Sequence, residues 1–228
     1  MKRKVPVKRT YQQHCGLARA LDVVGERWTL LIVRELLLGP RRYGDLLDTL
    51  EGITTNLLAK RLKEMTEAGL LEKRHAEPPA AGELYALTEA GAALEPAIME
   101  LGRWGGRLLQ HPRRGDRKNL GWALISLKRR YTGGAAAVVQ LSAGSRRFEL
   151  RFTPERMSVA EATSQAAEAT VTAAAEAPFF DLFFRGVPWA ALEENRALTV
   201  AGDRRAWFRV LGALGVAAQP VDVRGDVS

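Results

Sequence analysis

Residues 54 to 63 hold a run of small polar and basic side chains whose chemistry suits a polyanion: Thr54, Thr55, Asn56, Lys60 and Lys63. At helical spacing Leu58, Leu62 and Met65 share one face, which leaves Thr55, Asn56, Ala59, Lys60 and Lys63 on the other. Hydroxyl and amide groups at the start of a helix can approach base edges, and lysines can take phosphates. A second basic cluster, Lys73, Arg74 and His75, lies on a segment that reads as a strand. The lone thiol, Cys15, has Lys8 and Arg9 nearby, which would lower its pKa. A small buried hydrophobe is the other reading of that cysteine. His14, His75 and His111 lie far apart with no further Cys or His cluster, so neither a metal nor a cofactor is expected.

These groups need a scaffold of short helices. Residues 10–24 read as a helix presenting Leu17, Leu21 and Val24, closed by Gly25 in a left-handed cap. Residues 28–38 read as a central, mostly buried helix bearing Trp28, Leu31, Ile32, Glu35 and Leu36, stopped by Gly39 and Pro40. Residues 43–50 form the next helix, and Thr54 caps the one after it. Ile53 and Leu58 stand where a hydrophobic staple would close that end. Residues 71–75 and 83–87 predict a two-stranded wing around a loop at 78–82 that lacks Lys and Arg. Thr88 caps a long helix reaching Leu109, kinked at Pro96. Leu94, Ile98, Leu101, Gly105 and Leu108 alternate in steps of four and three, a seam suited to helix pairing and a candidate dimer contact.

The chain has 228 residues, 46% apolar and 26% charged, the balance of a folded soluble protein. No apolar run is long enough to span a bilayer, and no apolar stretch follows the basic start at Lys2, Arg3 and Lys4. A cytoplasmic protein with no membrane partner is expected. A single cysteine cannot close an internal disulfide. The net charge of +8 favours a polyanionic partner. There is no Ser-His-Asp or Cys-His set and no phosphate-binding glycine loop, so no enzyme is expected.

A basic joint at 111–117 separates two textures, and every phenylalanine lies at or beyond Phe148. The expected fold class is α+β, with domains at 1–112 and 118–228. The second half reads as a helix at 120–131, then strands at 137–141 and 147–152. The Ala-rich segment 159–177 reads as a loop with an edge strand at 169–172. Helices at 178–185 and 188–195, a strand at 197–200 and a final helix at 203–214 follow. Residues 179–184 place large apolar groups around most of a helix, which means burial on both faces or a cavity wall. The candidate lining is Phe179, Phe180, Phe183, Phe184, Trp189, Trp207 and Phe208, with ordinary core as the alternative.

Four segments carry a family resemblance: residues 28–32 (Trp-Thr-Leu-Leu-Ile), 39–43 (Gly-Pro-Arg-Arg-Tyr), 52–54 (Gly-Ile-Thr) and 61–63 (Arg-Leu-Lys). Through them residues 15–109 resemble the HxlR family of MarR-related winged helix-turn-helix transcription regulators. The resemblance implies a homodimer on pseudo-palindromic double-stranded DNA. The second helix of the helix-turn-helix would enter the major groove with Thr55, Asn56 and Lys60, and Arg42 would touch the backbone. Tyr43, Thr54, Arg61, Lys63, Lys73, Arg74 and His75 complete the candidate DNA-binding set. Some regulators of this family use a cysteine at the position of Cys15 as an oxidation sensor. Residues 198–204 resemble the closing strand-turn-helix of sterol-carrier-protein-like domains, which implies an apolar small-molecule effector bound in the second half. A DNA-binding regulator is the expected function, with a lipid carrier as the alternative of a different class.

Overall fold

The computed structural model describes residues 10–76, 82–110, 113–161 and 167–217, and the chain divides into compact units at 1–110 and 111–228. Lys8, Arg9 and the rest of the basic start, the wing loop at 78–81, and His111 with Pro112 of the joint lie outside the described residues.

The first unit runs α1 (Gly16–Val24), α2 (Thr29–Leu36), α3 (Tyr43–Thr49), α4 (Thr55–Glu67), β1 (Leu71–His75), β2 (Glu83–Leu87), α5 (Glu89–Ala92) and α6 (Glu95–Gly106), which ends in a 3-10 turn at Arg107–Gln110. Its core joins Ile32, Val33 and Leu36 of α2 to Leu46 of α3 and to Leu58, Leu62 and Met65 of α4. Burial of those apolar stripes sets the three-helix arrangement, since each is wet if its helix stands alone. β1 and β2 pair antiparallel from Leu71 opposite Leu87 to His75 opposite Glu83.

Several expectations are corrected here. The first helix begins at Gly16, because Asp22 folds the preceding segment back onto it: Thr10 Oγ1 donates to Asp22 Oδ2 at 3.0 Å and the Tyr11 amide to Oδ1 at 2.9 Å. Gly25 is right-handed at φ −71°, and glycine is needed there because a Cβ would stand 2.5 Å from the Leu21 carbonyl oxygen. Trp28 lies outside its helix with φ +81°, and Leu31 is exposed rather than buried. The long helix after Thr88 is two helices. Pro96 would clash with the carbonyl one turn earlier inside a continuous helix, so it occupies the first turn of α6, where its missing N–H costs nothing.

The second unit runs α7 (Leu120–Leu127), β3 (Ala137–Ala143), β4 (Arg146–Phe152), β5 (Met157–Glu161), β6 (Ala169–Ala173), α8 (Ala177–Phe184), α9 (Trp189–Glu194), β7 (Thr199–Gly202) and α10 (Arg204–Ala213). The strands form one sheet in the order β5-β4-β3-β6-β7, with β3 and β6 parallel and the other pairs antiparallel. Val139, Leu141, Phe148, Leu150 and Val171 form its buried face, against which α7 and α10 pack. Arg147, Arg151 and Thr172 alternate onto the open face.

Two strand expectations fail. Residues 157–161 form an edge strand on β4 where a loop was expected to begin at 159. Residues 169–173 lie inside the sheet, between β3 and β7, not at its edge. Small Ala169 and Ala173 are fully covered there, so weak hydrophobicity hid a central strand. Residues 162–166 of the Ala-rich segment lie outside the described residues. Among the described residues no helix is long and apolar enough to cross a membrane.

Candidate nucleic-acid interface

The entry to α4 is locked before any ligand arrives. Thr54 Oγ1 accepts from the Leu57 amide at 3.3 Å, and the Tyr43 hydroxyl donates to the Thr55 carbonyl at 2.7 Å. The second contact ties α3 to the first turn of α4, so Tyr43 supports the helix with its polar end already used. From this fixed start Thr55, Asn56, Ala59, Lys60 and Lys63 all face solvent, while Leu58, Leu62 and Met65 are buried. Lys60 and Lys63 stand 4.0 and 3.9 Å from Glu64 and Glu67, one turn on. Exposed pairs of this kind hold by at most about 1 kcal/mol, so a phosphate can recruit either lysine.

Arg61 leaves the candidate set. It is 6% exposed, lies on the core side of α4, and its guanidinium binds Glu26 and Glu64. A charge so covered and so paired is an internal structural group.

Arg42 remains exposed at the head of α3, its amide donating to Asp45 Oδ2 at 3.1 Å. A methyl group on Gly82 would stand 3.1 Å from an Arg42 guanidinium nitrogen, which places Arg42 against the wing. The preceding residue binds the wing through its backbone: the Arg41 amide donates to the Tyr85 carbonyl at 3.0 Å, and the Tyr85 amide returns the bond at 2.8 Å. This bridge joins the head of α3 to the wing.

The wing's lysine and arginine each have an acidic neighbour. Lys73 Nζ meets Glu83 Oε2 at 2.7 Å and lies 5.6 Å from the centre of the Tyr85 ring. The pair raises the Lys73 pKa and lowers that of Glu83, chiefly through this hydrogen bond. Arg74 Nε donates to Glu72 Oε1 at 2.7 Å, and His75 is exposed. Any phosphate would have to compete with Glu72 and Glu83 for these cations, a restraint that counting Lys and Arg does not reveal.

Cys15 is exposed and caps α1 from an extended backbone, one residue outside the helix. The nearby amides of Ala18 and then Leu17, at the open first turn of α1, hold the thiol pKa below the ordinary value, although the sulfur makes no side-chain cap hydrogen bond. The thiolate is favoured because these free N–H groups of the first turn have no other backbone partner.

The seam on the last helices divides. Leu94 and Ile98 pack onto the unit's own core, while Leu101 is 52% and Leu108 65% exposed. Trp104, 63% exposed, was missed although it stands three residues after Leu101 and four before Leu108, on the same stripe. Leu17 and Leu21 of α1 add further exposed apolar surface.

In the second unit Phe179, Phe183, Trp189 and Trp207 are buried together, with Trp189 and Trp207 ring centres 5.5 Å apart. Phe180 and Phe208 are half-buried, and Phe184 is 44% exposed, so Phe184 leaves the candidate lining. Its ring rests beside Phe180 on the outer side of α8. Trp189 Nε1 donates to Glu193 at 3.0 Å, whereas Trp207 Nε1 is buried with no acceptor among the described residues.

Residues 23–113 match the model of a family described as HxlR-like helix-turn-helix. The chain is 45% identical over 98 residues to an uncharacterised HTH-type transcriptional regulator of Mycobacterium tuberculosis, covering 42% of this chain and 61% of that relative. The match thus spans about three-fifths of that relative's length. It is 31% identical over 91 residues to the HTH-type transcriptional regulator YodB of Bacillus subtilis, covering 40% of this chain and 81% of YodB. A candidate transcription factor of known crystal structure, PA1607, shares 34% identity over 47% of this chain and 75% of its own, with a TM-score of 0.41.

Proposed function

The chain belongs to the HxlR-like helix-turn-helix family, and from that premise we propose that it is a homodimeric regulator of transcription that reads double-stranded DNA with α4. The carrying observation is the solvent-facing stripe of Thr55, Asn56 and Lys60 on a helix whose first turn is locked by Thr54 and Tyr43. Asn56 and Thr55 read base edges, while Lys60, Lys63, Arg42 and the wing's Lys73, Arg74 and His75 meet the phosphate backbone. Such a protein acts in the cytoplasm, where its DNA is. The dimer forms through the exposed apolar stripe of α6 together with α1, surface of a kind that soluble monomers rarely leave open.

Gel shifts on an operator selected from random duplexes test this reading. Asn56→Ala is expected to cut the preference for operator over random DNA by roughly tenfold, the scale of one good base contact. Lys73→Ala is expected to weaken both about equally and to flatten the salt dependence. Unchanged preference in Asn56→Ala would remove α4 from the groove.

The second unit fits an effector domain of the sterol-carrier-protein-like kind. The strand-turn-helix at 198–204 and the unpaired indole N–H of Trp207 support that reading, because a buried donor without an acceptor marks where a ligand or water oxygen would sit.

Oxidation of Cys15 is a second input, favoured by its exposure and its lowered pKa beside the apolar face of α1. Two copies would supply one cysteine each to an intersubunit disulfide. Iodoacetamide labelling of Cys15 is expected to reach half its limiting rate at a lower pH than an ordinary thiol, with no labelling in Cys15→Ser. Diamide is expected to change the gel shift of the native protein alone. Identical shifts for both would leave Cys15 without a redox role.

A further inference from the structure

Arg61 and its partners point to a part of the reading apparatus that lies outside the groove. Arg61 stands on the buried side of α4 in line with Leu58, Leu62 and Met65. One arm of its guanidinium binds Glu64, one turn further along the same helix. The other binds Glu26, which is 35 residues away in the turn between α1 and α2. Its two terminal nitrogens are thus both engaged by carboxylates on the buried side of the helix.

The same turn makes a second hold. Trp28 adopts φ +81°, a conformation that bulky residues avoid unless the surroundings compensate. Its ring edge lies 3.7 Å from where a Cβ would stand on Gly52, which itself has φ +87° in the turn leading into α4. Arg27 covers the Trp28 ring at 5.2 Å, and the Thr29 amide closes the turn on the Glu26 carbonyl at 3.1 Å. Residues 26–28 therefore hold α4 at Arg61, near its middle, and at Gly52 in the turn that leads into it.

We infer that Glu26 and Arg61 are positioning residues for base recognition: they set the angle at which α4 presents Thr55 and Asn56, and Arg61 touches no DNA. This rests on the proposed reading of DNA by α4. Asn56 lies five residues from Arg61, about 7.5 Å along the axis. A tilt of roughly 10° about Arg61 moves Asn56 by about 1 Å, enough to spoil a hydrogen bond whose useful range is narrower than that. Phosphate contacts by flexible lysines tolerate such a shift, because they act as point charges on long stems. Loosening the clamp thus removes specificity and spares nonspecific affinity.

The test uses the full chain, a duplex selected from a random pool, and a random duplex, each titrated over a salt series well below the melting temperature of every variant. Glu26→Gln and Arg61→Met are expected to lower discrimination about tenfold, the scale of one lost base contact, with the salt slope unchanged. Arg61→Lys is expected to fall between them and the native protein. A salt slope smaller by about one in Arg61→Met would make Arg61 a phosphate contact and overturn the inference. Full discrimination in Glu26→Gln would overturn it too. If Arg61→Met does not fold, Glu26→Gln decides, since Glu26 is half exposed and its loss leaves the core intact. Hydrogen exchange separates the clamp from the DNA reading. Amides 55–60 are expected to exchange faster in Glu26→Gln while those of α2 do not, and equal protection would sink the clamp even if native protein showed no sequence preference at all.

Discussion

Leu101→Asp combined with Trp104→Asp is expected to yield a folded monomer whose operator affinity falls by at least about a hundredfold. Both side chains are more than half exposed on α6, so replacing them costs the subunit little internal packing. In a dimer they would be covered, and an aspartate there must be desolvated without a partner. Two half-sites about 34 Å apart are held together only through the protein, and losing the link forfeits an avidity of roughly 10²–10⁴. Ile98→Asp, one turn earlier, should behave differently. Ile98 packs on the unit's own core, so this change is expected to unfold the subunit rather than dissociate it. Light scattering with circular dichroism distinguishes the outcomes, and a double variant that stays dimeric would move the interface off α6.

Phe183→Ala is expected to lower the stability of the second unit by about 3–5 kcal/mol, read by urea unfolding. The ring is 2% exposed and lies 6.4 Å from both Phe179 and Trp207, centre to centre. Its removal takes contacts from both neighbours at once. Arg130 donates to the Phe183 carbonyl, a bond the substitution retains, so the loss belongs to the ring. Were the unit an apolar effector site, long-chain fatty acids would raise the melting temperature of the native protein and shift its tryptophan fluorescence through Trp189 and Trp207. No such response in either protein would leave the aromatic cluster as core and end the effector reading.

The helix-turn-helix was legible because its signals are local. Thr54 before an apolar stripe and Thr88 at a later helix start each act within a few residues. The outward stripe of α4 follows from helical period alone. Even here local cues misplaced ends: the segment before Gly16 was expected to be helical, and Asp22, farther along the chain, captures it instead.

By itself the sequence determined which face of α4 is wet, that a wing follows it, and that the aromatic residues gather in the second half, since periodicity and composition are properties of consecutive residues. Tertiary structure alone decided the fate of individual side chains on those faces. Arg61 reads as one more basic residue beside Lys60 and Lys63 until Glu26 arrives from another turn to neutralise it inside the core. Helical spacing cannot separate Ile98, covered by the subunit's own core, from Leu101, left bare three residues later. The Ala-Thr strand β6 became central because β3 and β7 enclose it, although its own residues announce little. In each case burial is conferred by a neighbour distant in sequence, and a free energy shared between two segments leaves no mark on either one alone.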